Sequence, residues 1–367
     1  MTRNLVARFD DVYDEITCAC EEVFTEWVSV PVFDAVIHIV ARTGNRLFVG
    51  LPLCMNFLGC YVFYSTINPG RHPELRQRIV DLRRRHMRHP GKDELTKTVM
   101  ERVLLDREFG TDRPDRPNDT ISWFYDVASV RYSAEAIVDE IVQRIMFLNF
   151  SAIHTSTHAL TNVLYHLAEH PEIYLQSLRN EVEGVTEKLG WTKAALRDMV
   201  KVDSFVRESE RFNGLSSLIM TRKVVNPSGF TFSNGVHLPM DSIVSVANYS
   251  THHDDTYYPD ANTFDGFRFS RVREASEGFD AIRHQFVHTT PEYVTFGHGR
   301  HSCPGERSLF FAANELKVAL AHIVMYYDVK LGDDCNGVKP DNSWMSIALI
   351  PDKLIYRSER EWIHFEI

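Results

Sequence analysis

The sharpest chemical signal in the sequence is a cysteine set among spaced glycines behind an aromatic residue: Phe296-Gly297-His298-Gly299-Arg300-His301-Ser302-Cys303-Pro304-Gly305. Proline just after the cysteine predicts a helix starting there, at about Pro304. That sets Cys303 at the positive end of a helix dipole, where thiolate is favoured over thiol and a metal can be bound. Gly297, Gly299 and Gly305 let backbone approach a large flat group, while Phe296 can pack beside the sulfur. A haem with an axial thiolate is the group such a nest would hold. One cysteine at a helix start is by itself more commonly a buried bystander; the glycines and the aromatic reverse that balance.

Other groupings invite chemistry less specifically. In Asp203-Ser204-Phe205-Val206-Arg207-Glu208-Ser209-Glu210-Arg211, Glu208 and Arg211 are three apart and share a helix face. Such a pair in isolation is usually a surface ion pair worth little. Ser151-Ala152-Ile153-His154-Thr155-Ser156-Thr157 lies within a long helical pattern. His154 offers an imidazole and Thr155 a hydroxyl, with a plain helix-interior threonine as the competing reading. His252-His253-Asp254-Asp255 has the composition of a metal site, although a structural loop is the favoured reading. A di-iron carboxylate centre would want paired E-x-x-H motifs, against which stands the lone Glu361-x-x-His364.

The cysteine segment resembles the haem-binding loop of the cytochrome P-450 superfamily, F-x-x-G-x-x-x-C-x-G, at Phe296, Gly299, Cys303 and Gly305. Its wording, with His284-Gln285-Phe286-Val287 upstream, is similar to the monooxygenases of fungal secondary metabolism. The resemblance implies haem b with Cys303 on the iron. It implies that Glu208, Arg211 and Arg268 form a buried structural network holding the cysteine loop, and that Arg222 and His301 meet the haem propionates. Thr155, with His154 where the family carries Asp or Glu, would deliver protons to bound oxygen. The implied reaction inserts one oxygen atom of O2 into a hydrophobic small molecule such as a terpenoid or polyketide intermediate. Electrons would come from a separate NADPH-dependent reductase, and the family's location is the endoplasmic reticulum membrane. A haem-thiolate enzyme that works without a reductase is the alternative chemistry.

Composition narrows the field independently. Fifty Asp+Glu against forty Lys+Arg give a formal charge of −10, the wrong sign for a partner of nucleic acid. Six scattered cysteines do not make a disulfide scaffold or a zinc module, so an intracellular, reducing compartment is expected. The first residues contain no apolar stretch of the secretory kind. The run Leu47 to Ile67 is about long enough to cross a bilayer, but Gly50, Pro52, Asn56 and Gly59 favour a buried segment over a membrane contact.

The elements that must carry these residues follow from periodicity. Residues 5–26 repeat apolar positions at helical spacing, and Ser133 to about Leu189 reads as a long helix with a second starting at Pro171. Gly110 to Asp119 is a loop leading into a helix near Trp123. Arg76 to Glu108 is a solvated helix face. Trp191 to Phe212 is helical, while Thr221–Val225 and Ser242–Val246 read as strands, as does part of the last forty residues. The expectation is a mainly α fold with a minor β part, the cytochrome P-450 fold, in a single domain over residues 1–367.

Three departures from the family qualify that picture. Family members carry more sequence ahead of the point where this chain begins, including the membrane anchor and most of the larger sheet. The region between Asn56 and about Arg85 is short. Glu306-Arg307-Ser308-Leu309 is longer than in relatives, and about three extra residues turn a helix roughly 60° out of register. A truncated product that keeps the motifs but turns over nothing is therefore the rival expectation.

Overall fold

The computed structural model describes residues 8–24, 28–51, 54, 90–129, 133–303, 309–332 and 362–366. In chain order these form helix α1 (Phe9–Val23), strand β1 (Val28–Pro31) and helices α2 (Val32–Phe48), α3 (Pro90–Phe109), α4 (Thr120–Ala128), α5 (Ala134–Glu169), α6 (Pro171–Leu189), α7 (Lys193–Asp198) and α8 (Val200–Phe212). Strands β2 (Leu218–Lys223), β3 (Phe230–Thr231), β4 (His237–Leu238) and β5 (Ile243–Ala247) follow, then short helices α9 (Asn248–His252), α10 (Arg268–Glu274) and α11 (Phe279–Arg283). A single 3₁₀ turn at Gly299–His301 precedes helix α12 (Leu309–Tyr326) and strands β6 (Asp328–Leu331) and β7 (Trp362–Glu366). The fold is mainly helical with a small β part.

Local chemistry accounts for the boundaries. No glycine or proline interrupts residues 134–169, so α5 runs for 36 residues. It stops where Pro171 forces His170 out of the helical region, to φ −139°, and that proline then opens α6 at a position where no N–H is needed. Gly190, at φ +63°, closes α6 with its N–H on the Thr186 carbonyl. Asp119 caps α4 by accepting the Ser122 N–H at 3.1 Å, ending the expected loop 110–119.

α5 is the central element, packed against α2, α3, α4, α8 and α12, with α12 also reaching α6 and α1. One apolar core extends from Phe9 in α1 to Leu331 in β6. β1, β7 and β6 form an antiparallel three-stranded sheet in that order, and β2 pairs with β5 across a bulge between Ile219 and Arg222. Inside the core, Arg42 donates to Glu15 at 2.7 Å, tying α2 to α1 by a buried ion pair.

Of the apolar run 47–67, α2 takes Leu47 and Phe48 and the chain then turns at Gly50, whose φ is +71°. Apart from 47–51 and Cys54 the run lies outside the described residues, as do Arg76–His89 of the basic stretch. Among the described residues no helix is long and apolar enough to cross a membrane.

Candidate functional site

α8 carries charged and polar residues beside its apolar face of Val202, Phe205 and Val206, and yet is buried without a break from Val202 to Arg211. Most of its charged groups are held by partners, although Glu210 Oε1 and the Ser209 hydroxyl have none among the described residues. Glu208 receives two parallel hydrogen bonds from Arg211, each 2.8 Å, and a third from Arg268 Nε at 3.1 Å. The Asp265 N–H also donates to it. The arginines spend their remaining donors on main-chain oxygens: Arg211 on His252 and Ala261, Arg268 on Pro259, Asp260 and Thr263. Planar guanidinium groups suit this work because their donors diverge in fixed directions. Glu208, Arg211 and Arg268 are thus brought together, the first two fully buried.

The same helix grips the segment leading to the cysteine through residues that the sequence left unremarked. Arg207 lies 3.8 Å from the Tyr293 ring centroid and 4.6 Å from that of Phe269, and donates to the carbonyls of Gln285 and His288. Asp203 accepts from the Phe286 N–H at 2.9 Å, from Arg273 and from Lys317 of α12. Burial would push its carboxyl up, but Lys317 and Arg273 outweigh burial and hold it below the ordinary range. Periodicity could not reveal these roles, because it marks the apolar positions Val202, Phe205 and Val206 and does not say which of their polar neighbours find distant partners.

His252 belongs to this frame rather than to a metal site. Its ring stacks on Tyr293 at 5.4 Å, its Nδ1 lies 3.2 Å from the Arg211 carbonyl, and its Nε2 accepts the Val294 N–H at 3.2 Å. Those partners require the neutral Nδ1-protonated ring, and burial together with Arg211 pushes its pKa down to about 3. Asp254 and Asp255 accept N–H groups from Thr256 and Ala261 in turns. Among the described residues no cluster suited to a metal ion occurs.

The cysteine loop closes on itself. Cys303 donates its N–H to the Phe296 carbonyl at 2.7 Å, and its side chain is exposed and free. Gly297 and Gly299 take φ of +73° and +69°, conformations that glycine adopts without strain. Around Gly299 an added Cβ would meet nothing within 4 Å, so one side of this turn is open. Phe296 anchors the turn by packing on Phe286, ring to ring at 5.2 Å. Gly305 and Pro304–Ser308 lie outside the described residues, as does the expected helix start at Pro304; α12 is described from Leu309.

On α5, Thr155 is exposed and donates to the Ser151 carbonyl at 2.8 Å. His154 packs edge-on against Phe150 at 5.3 Å. Phe147, Ser151 and Thr155, four residues apart, share one exposed face halfway along a helix that is otherwise in the core. Arg222 stands exposed on β2, and its hydrogen bond goes to the Thr221 carbonyl beside it. His301 ends the 3₁₀ turn two residues before Cys303.

Comparisons with known proteins agree on one family. The family model described as Cytochrome P450 matches residues 69–357. Cytochrome P450 monooxygenase 151 of Postia placenta is 40% identical, over 96% of this chain and 71% of its own length. Cytochrome P450 monooxygenase CYP512U6 of Ganoderma lucidum is 33% identical, over 95% of this chain and 69% of its own length. Among solved structures, retinoic acid bound cyanobacterial CYP120A1 superposes with a TM-score of 0.65 at 19% identity, covering all of this chain and 75% of that one.

Proposed function

The chain belongs to the cytochrome P450 family of oxidoreductases, and from this we propose that it is a haem-thiolate monooxygenase acting on a hydrophobic small molecule, of the terpenoid class of secondary metabolites. The observation that carries the reading is the cysteine turn. Cys303 presents a free, exposed thiol on a closed loop that is open beside Gly299 and pinned behind by Phe296 and Phe286. Such a turn fits a large planar group: a soft sulfur ligand at its end, no side chain on its open side, and apolar support beneath.

In this reading Cys303 would hold the iron of haem b, Phe296, Gly299 and Gly305 would form the rest of the binding loop, and Arg222 and His301 would donate to the propionates. When bound, the haem would supply activation of O2, with electrons from a separate NADPH-dependent reductase. The chain's own residues do the rest. The Glu208, Arg211 and Arg268 network keeps the path from His252 to Arg268 fixed, and Arg207 and Asp203 fix the segment 285–288 that supports Phe296. Thr155 Oγ1, anchored by its bond to Ser151, keeps its lone pairs free to accept and pass a proton, with His154 one residue behind it. Phe147 and Phe150, 68% and 39% exposed on α5, offer an apolar wall suited to a hydrophobic substrate and to exclusion of water.

The test is the carbon-monoxide difference spectrum of the reduced, haem-supplemented protein beside Cys303→Ala. A red-shifted thiolate-type Soret band that disappears in the variant is the expected result. An absent band, or one indifferent to the substitution, would overturn the assignment and leave the inert-product reading standing.

A further inference from the structure

Strand β2 holds one residue in a conformation that its side chain resists. Met220 has φ of +54°, in the left-handed region where glycine is at ease and a long side chain is not. It stands inside the bulge: Ile219 is opposite Val246 and Arg222 opposite Val244, so Met220 and Thr221 together stand against the single residue Ser245.

The register says which face each residue takes. Residues paired across two strands share a face, and neighbours along a strand alternate. Val244 and Val246 flank Ser245, so their partners Arg222 and Ile219 lie on one face, while Leu218 and Lys223 lie on the other with Ser245. The Thr221 and Ser245 hydroxyls meet at 2.8 Å, as side chains on that second face should. Ile219 and Arg222 are three apart, an odd spacing that would set them on opposite faces of a regular strand. The bulge at Met220 absorbs the extra residue and returns Arg222 to the face of Ile219.

Two neighbouring cations are thereby given different surroundings. Lys223 is spent on Asp241, 2.6 Å away. Arg222 pairs with no carboxylate among the described residues, and its one hydrogen bond goes to the Thr221 carbonyl at 2.9 Å. A slip of β2 by one residue would turn Arg222 to the face of Ser245 and bring Lys223 to the face that Arg222 had left.

We propose that Met220 is a positioning residue whose left-handed backbone sets the phase of β2 and so keeps Arg222, uncommitted to any acid of the protein, on the face from which it donates to a carboxylate of the cofactor. The proposal rests on the reading of Arg222 as a partner of a haem propionate. A guanidinium serves that purpose best when its planar fork is not already filled by another carboxylate. The role belongs to the Met220 backbone and not to its side chain.

The readout, on the full haem-loaded chain, is the rate at which haem escapes, followed in the visible spectrum as excess apomyoglobin captures it. Arg222→Ala should release haem about tenfold to a hundredfold faster, the worth of one hydrogen bond to a charged group. Met220→Val, whose β-branched side chain excludes left-handed backbone, should match that change. The double variant Met220→Val/Arg222→Ala should then release haem no faster than either single one, because both act through one contact. Met220→Gly, which keeps the bulge and drops the side chain, should hold haem as the wild type does. A wild-type rate in Met220→Val, factors that multiply in the double variant, or fast release from Met220→Gly each overturn the proposal; the glycine variant decides if Met220→Val does not fold. A wild type that takes up no haem, or an Arg222→Ala that releases it at the wild-type rate, defeats the reading of the site and this role with it. A fast Arg222→Ala beside an unaffected Met220→Val defeats the Met220 role alone.

Discussion

At the scale of single residues, the molecule invests in charged and polar side chains where a core would ordinarily be apolar, and those around α8 that carry the fold are held by specific partners. Glu208→Gln leaves two buried guanidinium groups facing a neutral amide. Breaking a buried pair on one side costs about 3–5 kcal/mol, so chemical denaturation should register a loss in that range. His252 makes a pH-dependent contribution whose sign follows from its neutral state. The unfolded ring protonates below about pH 6.5, while the folded ring resists down to about 3. Stability from this residue is therefore complete above pH 6.5 and is lost as pH falls toward 3. His252→Gln should show a shallower decline between pH 6.5 and 4 in denaturation midpoints than the wild type. The cysteine and the Glu208 and Arg211 pair were legible from spacing because a fixed motif needs fixed offsets. Arg207 and Asp203 were not, since the groups they bond through their side chains lie 70 positions away or more in the chain.

Among the elements, helices with local punctuation could be read directly: Pro171 separates α5 from α6, and Asp119 caps α4. The strands of β2 and β5 were also visible in their β-branched residues, but the bulge between Ile219 and Arg222 was not, because it depends on pairing with a distant partner. The junction of α8 with α10 shows a constraint of the same non-local kind. Gly266 comes so close to Phe205 that an added Cβ would lie 2.4 Å from its ring, with Tyr174 at 3.1 Å. Phe205 is fully buried between α8 and its neighbours and cannot withdraw. Gly266→Ala should cost about 1–3 kcal/mol, the usual penalty of overpacking, measurable as a lower thermal midpoint. An unchanged midpoint would mean that the ring moves freely.

For the whole molecule, the core that joins α1 to β6 argues for cooperative unfolding of the described helices as a single domain. Tryptophan fluorescence and far-ultraviolet circular dichroism should report coincident denaturant transitions; two separated transitions would divide the chain. Composition bounded the class of molecule, and periodicity found its helices, but their arrangement around α5 came from long-range packing that no local pattern encodes. One feature of that arrangement reaches beyond stability. Arg211 and Arg268 bind the segment from His252 to Thr263 through the main-chain oxygens of His252, Pro259, Asp260, Ala261 and Thr263, not through its side chains. Such recognition is blind to residue identity wherever a side chain does not itself shape the turn. Over evolutionary time this stretch is free to drift in sequence while two arginines and one glutamate stay put, so divergent relatives should keep its path and length long after they have lost its letters.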